Sequence, residues 1–169
     1  MTSPARSPAG LRPFLLSDTP LLAEIFRASI AELTTDDYSE AQQAAWMASA
    51  GDEAAFGERL RGELTLVATI EGAAVGFVAL TGGDVIDMLY VHPAVAGRGI
   101  GAQLCDAIER LAAARGAAKL TADASDTALG FFTRRGFVPQ RRNSVSRNHE
   151  WLANTTVEKT LSAGPGSVS

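Results

Sequence analysis

The stretch Val91-His92-Pro93-Ala94-Val95-Ala96-Gly97-Arg98-Gly99-Ile100-Gly101 runs from an apolar, β-branched strand through a glycine-rich turn into a helix, a layout that can cradle an anion. Gly97, Gly99 and Gly101 lack Cβ, so the turn can take positive φ and bring its backbone close to a ligand. The first N–H groups of the helix that follows have no intrahelical partner and sit at the positive end of its dipole, which suits a phosphate or pyrophosphate. Two common phosphate loops do not fit. A Walker A loop needs Lys and then Ser or Thr after its last glycine, whereas Gly101 precedes Ala102-Gln103. A dinucleotide fingerprint needs Gly-x-Gly-x-x-Gly behind an N-terminal strand, with an acidic residue about twenty positions on.

Other reactive side chains are sparse. Cys105 is the only cysteine, which excludes an internal disulfide and a cysteine-rich metal site. It lies between Leu104 and Ile108 in an expected helix, where a small buried residue fits better than a nucleophile paired with His92 or His149. The histidines and scattered acids show no metal-ligand spacing. A net charge of −4 and a pI near 5.2 argue against a nucleic-acid surface. No apolar run is long enough to span a bilayer and the N-terminus has no signal-peptide core, so the expected location is the cytoplasm.

The 169 residues, 46% hydrophobic and 20% charged, suit one soluble domain. Residues 1–10 and 162–169 read as disordered tails around a domain at 11–161. Leu11 to Leu16 reads as a strand, and Thr19 with Pro20 as the cap and first position of a helix carrying Leu22, Ile25, Phe26, Ile30 and Leu33 on one face. Ser39 and Gln42 form a capping box for a second helix bearing Trp46, and a third helix covers about Asp52 to Arg61. Strands follow at Leu64 to Ile70 and Ala73 to Leu80, joined by Glu71-Gly72, and then at Val85 to Val91. Ile100, Leu104, Ile108, Leu111 and Ala112 mark one face of a helix that Gly116 ends. A strand at Leu120 to Ala124, a helix at Thr127 to Arg135 and an antiparallel pair at Val138 to Val145 and Trp151 to Leu161 complete the chain. Antiparallel strands followed by a strand-helix-strand-helix unit predict an α/β fold around a mixed sheet.

Val91-His92-Pro93 with Gly97-Arg98-Gly99-Ile100-Gly101-Ala102 and Leu104 resembles the acyl-CoA loop of the GCN5-related N-acetyltransferases, the GNAT superfamily. The segment Ser125 to Phe137, with Phe131-Phe132 and Gly136-Phe137, resembles the helix near that family's C-terminus, in the matching order and separation. Arg147 to Leu161 is similar to a bacterial subgroup. The resemblance implies a GNAT-like, mostly antiparallel sheet of six to seven strands flanked by helices, with a splayed parallel pair, and transfer of the acetyl group of acetyl-CoA to an amine without a metal. A small amine is the favoured acceptor, and an acyl-CoA-binding sensor that does not turn over is the alternative. Exchange of the last hairpin's edge strand would allow a homodimer.

Carried over residue by residue, the resemblance assigns the pantetheine arm to the backbone of Leu89, Tyr90 and Val91. The pyrophosphate falls to Ala96, Gly97, Arg98, Gly99, Ile100, Gly101 and Ala102. Phe131 and Phe132 line the channel or the core, and Ser125 serves either as a helix cap or as a ligand to the arm. Asp87 is the candidate general base, placed by strand parity with Leu89 and Val91 and opposite Tyr90. No general acid is transferred, because Phe132 stands where relatives use tyrosine. Tyr38, Trp46, Trp151 and Asn154, with His149 nearby, are the candidate acceptor residues, and the arginines from Arg134 to Arg147 read mainly as a solvated face.

Overall fold

The strand Val85–Val91 (β4) occupies the middle of a seven-stranded sheet, and both of its faces are covered by helices. The computed structural model describes residues 9–161. In chain order the strands are β1 (Gly10–Pro13), β2 (Leu64–Ile70), β3 (Ala73–Thr81), β4, β5 (Lys119–Ser125), β6 (Val138–Arg147) and β7 (Glu150–Thr160). They lie side by side in the order β1-β2-β3-β4-β5-β7-β6, antiparallel except for β4 and β5. The helices are α1 (Thr19–Leu33), α2 (Glu40–Met47), α3 (Glu53–Gly62), α4 (Ile100–Ala114) and α5 (Leu129–Arg134).

Each face of the sheet carries its own core. On one, Leu22, Phe26 and Ile30 of α1 and Phe56 and Leu60 of α3 pack on Val67, Phe77 and Met88. On the other, Leu104, Cys105, Ile108 and Ala112 of α4 and Phe132 of α5 pack on Val78, Leu80, Leu120 and Val157. The apolar spacing of α1 and α4 dictates this, because each helix presents one stripe to the sheet. Two tight hairpins set the registers. Glu71 and Gly72 take φ of 52° and 83°, and Asn148 and His149 take 49° and 71°, the paired positive values whose twist matches that of antiparallel strands.

Several boundaries differ from the sequence reading. β1 ends at Pro13, whose φ is fixed and whose N–H is missing, and a short turn at Leu16–Asp18 follows. Asp18 holds the N-cap position of α1 with its carboxylate turned to the Leu15 N–H and Arg12, while the Thr19 hydroxyl donates back to the Leu16 carbonyl at 2.7 Å. Two residues of the expected N-terminal tail are ordered parts of the fold: Gly10 belongs to β1, and Ala9 is buried and exchanges hydrogen bonds with the Gln103 side chain. The remainder of both expected tails lies outside the described residues. α5 begins two residues later than expected, because Ser125 closes a turn on the Ala128 N–H first. Among the described residues no helix is long and apolar enough to cross a membrane.

Two irregularities of β4 position the site. The parallel contact with β5 is confined to Val85 opposite Thr121 and Ile86 opposite Ala122, after which the strands diverge into a fork. Against β3, Met88 pairs with Ala79 and Ile86 with Leu80, so Asp87 is an extra residue in a β-bulge. The bulge reverses the side-chain alternation around it. Ile86, Leu89 and Val91 therefore all face the α4 core, while Met88 and Tyr90 face α1.

Candidate active site

On the α4 side of the fork the backbone forms a cradle. Gly97 and Gly99 have φ of 82° and 79°, and a Cβ at either position would meet nothing within 4 Å. Glycine is needed there for its conformation rather than for space. The His92 Nδ1 accepts the Ala94 N–H at 3.0 Å and shapes the turn. The first N–H with a helical acceptor belongs to Gln103, bonded to the Gly99 carbonyl at 3.0 Å, so those of Ile100, Gly101 and Ala102 emerge at the positive end of a fifteen-residue helix. Ala96 and Arg98 are exposed on the same turn.

A groove of about 200 Å³ leads from the fork beside this cradle, walled by Leu89, Tyr90 and Val91 of β4, by Gly101 and by Phe131 and Phe132 of α5. The His92 N–H donates to the Val75 carbonyl at 2.8 Å across β3. Ladder alternation then turns the peptide groups of Tyr90 to β3 and those of Leu89 and Val91 to the widening gap. An extended ligand in the gap meets a strand edge that β5 has vacated. Phe131 lines this channel half-buried, whereas Phe132 is buried in the core and shows only part of its ring.

On the opposite side of the fork lies a cleft of about 410 Å³ whose walls include Phe26, Tyr38, Trp46, Asp87, Tyr90, Asp123, Arg147 and Asn154. Trp46, Tyr90 and Ser125 line both cavities, so groove and cleft meet at these three residues. The first residues beyond the last parallel pair are Asp87 on β4 and Asp123 on β5, which flank the apex of the fork.

Arg59 grips Asp87 bidentately, with contacts of 2.7 to 3.0 Å. Glu63, the residue that follows α3, places Oε1 3.7 Å from the Arg59 Nε while its buried Oε2 has no hydrogen-bond partner among the described residues. Burial, and then the Asp87 carboxylate beside it, push the Glu63 carboxyl up to about 8. Asp123 accepts a 2.6 Å hydrogen bond from Thr156, which itself accepts one from Asn143 at 2.8 Å. Asn143 also donates to the Asn154 Oδ1 at 2.9 Å. Burial raises the Tyr90 phenol.

Of the residues expected to act, Asp87, Ser125, Tyr38, Trp46 and Asn154 reach the cleft. The parity argument for Asp87 is corrected by the bulge: Asp87 shares a wall with Tyr90 and lies apart from Leu89 and Val91. Ser125 accepts the Ala128 N–H at 3.1 Å, so it is a cap, and it also faces both cavities. The Tyr38 hydroxyl is consumed in the scaffold, donating to the Ala153 carbonyl at 2.6 Å and accepting from the Asp126 N–H at 2.9 Å. Trp151 is not brought to the cleft; it is 64% exposed on the last hairpin. Cys105 is buried, donates to Glu109 at 3.3 Å and has its thiol pushed up to about 12 by burial. Arg135 pairs with Asp106 and Glu109, and Arg142 with Asp126, so neither is free for a ligand. Sequence reasoning missed Arg59, Glu63, Asp123 and Arg147. The available signal was Asp123 itself, a lone carboxylate amid the small residues of β5.

Residues 34–160 match the family described as the acetyltransferase (GNAT) domain. The chain is 31% identical over 144 residues to the uncharacterized N-acetyltransferase YafP of Escherichia coli (strain K12), spanning 85% of this chain and 91% of that protein. The crystal structure of a GCN5-related N-acetyltransferase from Rhodopseudomonas palustris, also called a class-II aminotransferase, superposes with a TM-score of 0.91 at 56% identity, covering 95% of this chain and all of that one. PaiA N-acetyltransferase from Thermoplasma acidophilum, solved with coenzyme A, shares the fold at a TM-score of 0.73 and 18% identity, covering 90% of this chain and 98% of that one. The family match takes in the cradle, both arms of the fork and the last hairpin, and by it the chain belongs to the GNAT acetyltransferases.

Proposed function

We propose that the protein transfers the acetyl group of acetyl-CoA directly to a small amine, with the cosubstrate in the groove and the acceptor in the cleft. The observation that carries this reading is the shared wall of Trp46, Tyr90 and Ser125, where a thioester entering from one side meets a nucleophile from the other. The pyrophosphate rests on the N–H groups from Gly97 to Ala102, the Ala96 N–H being spent on the Pro93 carbonyl at 3.1 Å, with Arg98 adding charge, and the pantetheine amides pair with Leu89 and Val91. The Thermoplasma protein was solved in complex with coenzyme A, which supports a coenzyme A thioester as the cosubstrate.

The amine nitrogen attacks the thioester carbonyl carbon, the C–N bond forms, and the C–S bond breaks with the electron pair leaving on sulfur. An N–H of β4 facing the gap, at Val91 or its neighbour, stabilises the oxyanion. Asp87 receives the amine proton, directly or through water, while Arg59 holds its carboxylate in place. Solvent protonates the departing thiolate, whose free-thiol pKa of about 8.5 lets it leave without a dedicated acid. Acyl transfer through Cys105 is disfavoured, because its thiol is buried in the α4 core and stays protonated near neutrality. The reading places the protein in the cytoplasm without a nucleic-acid partner, and pairing of β6 edges would make it a homodimer.

A thermal-shift titration tests the binding half. Acetyl-CoA and CoA should raise the melting temperature as they saturate the folded state, and ATP should not. Thiol release that depends on an added amine tests the chemistry. Stabilisation by acetyl-CoA without release across a broad amine panel would favour the sensor instead.

A further inference from the structure

We propose that the acceptor is a free amino acid or a close analogue, held with its amine between Asp123 and Asp87 and its carboxylate on Arg147; this rests on the acetyl-transfer reading above. The charged side chains lining the cleft are Arg59, Asp87, Asp123 and Arg147. Arg59 and Asp87 largely neutralise one another through their bidentate pair. Asp123 accepts only the Thr156 hydroxyl, on Oδ1, so its charge has no counter-ion among the described residues. Arg147 likewise has no carboxylate within ion-pair reach among them, and its one contact is a 3.4 Å approach to the neighbouring Ser146 carbonyl. One unmatched anion and one unmatched cation therefore share a single cleft.

Their placement gives the acceptor a direction. Asp123 stands at the apex of the fork, two residues before Ser125 on the wall shared with the groove. Arg147 is the last residue of β6, opposite Glu150 at the hairpin tip. An amine drawn to Asp123 arrives where the thioester is attacked, and a carboxylate on the same molecule remains at the rim, where a planar guanidinium can take it bidentately. A polyamine or simple alkylamine satisfies Asp123 but brings no partner for Arg147, and a second ammonium there would be repelled. The edge-to-face pair of Tyr38 and Trp46, with ring centroids 5.4 Å apart, forms an apolar wall for the remainder of the molecule.

The test compares the proteinogenic amino acids with their carboxamides and their decarboxylated amines as acceptors for acetyl-CoA. At least one amino acid should exceed both of its derivatives in kcat/KM by about tenfold or more, the scale expected of a bidentate charged contact. Arg147→Ala should raise KM for that amino acid and bring the ratio close to one, Arg147→Lys should restore part of it, and Arg147→Glu should reverse it in favour of the decarboxylated amine. Arg147 is exposed and has no ion-pair partner among the described residues, so these variants should fold. Equal use of acids and amides by the wild-type protein, or a preference that survives Arg147→Ala, would overturn the inference while leaving acetyl transfer intact. If no acceptor is turned over, the transfer reading fails. The same series, read as the melting-temperature increment each compound adds in the presence of CoA, then decides the inference alone: a free acid that stabilises more than its amide supports it, and equal increments refute it.

Discussion

The two cavities that meet at the fork are built from different materials. The groove is a backbone site, made of left-handed glycines, the end of α4 and the strand edge that β5 abandons, almost all within one stretch of sequence. The cleft is a side-chain site, drawing Trp46 from α2, Arg59 from α3, Asp87 and Tyr90 from β4, Asp123 from β5 and Arg147 and Asn154 from the last hairpin. Backbone geometry of the first kind can stay constant while cosubstrate binding is preserved. Side chains of the second kind can be exchanged without touching the strand to which we assign the thioester, which would let one scaffold acetylate different acceptors.

Substitutions should therefore separate by side of the fork. The largest effect is expected at the cleft: Asp87→Asn should lower kcat about a hundredfold, within the range of general-base catalysis, and leave KM for acetyl-CoA near its wild-type value in initial-rate measurements. A proportionate loss of acetyl-CoA affinity would blur the division. On the groove side, Gly99→Val forces a β-branched residue to a φ of 79°, costing about 1–2 kcal/mol of stability by denaturant unfolding. The same variant should raise KM for acetyl-CoA about tenfold, roughly 1.4 kcal/mol, while the ranking of acceptors stays the same.

Glu63 gives a smaller effect with a defined sign. Its carboxyl is near 8 in the folded protein and near 4.5 when unfolded, so over that window the folded state holds a proton that the unfolded chain has released. Stability contributed by this group is complete below about 4.5 and is lost as pH rises toward 8. Glu63→Gln keeps a neutral side chain and should escape the loss, gaining on the wild type by an amount on the order of 1–2 kcal/mol between pH 5 and pH 9 in unfolding titrations. A constant difference across that range would remove Glu63 from the account. The smallest effect belongs to Trp151→Ala, which should change kcat/KM by less than about twofold, as is usual for an exposed side chain that touches no functional feature.

Much of this division explains what the sequence revealed. The cradle was legible because its information is local: glycine spacing, a preceding apolar strand and a helix start lie within a dozen residues. The helix faces of α1 and α4 and the Glu71-Gly72 hairpin were legible for the same reason. The bulge at Asp87 was not, because Val85-Ile86-Asp87-Met88-Leu89-Tyr90-Val91 is buried or half-buried on both faces and lacks the alternation that would betray a slip of one residue. Regular parity consequently set Asp87 opposite Tyr90, when the two line one wall. Arg147 belongs in sequence to a basic run that reads mainly as a solvated face, and Arg59 carries no sequence signal; only the tertiary arrangement turns both toward a common space.

The central claim is that both substrates are bound at once, on opposite sides of the fork, when the acetyl group moves. Initial rates measured over a grid of acetyl-CoA and amine concentrations test it most directly. A complex holding both substrates predicts double-reciprocal lines that intersect, with no acetylated protein formed when acetyl-CoA is supplied alone. Parallel lines, or an acetyl group retained on the protein in the absence of amine, would mean that the enzyme carries the acetyl group itself and would contradict direct transfer.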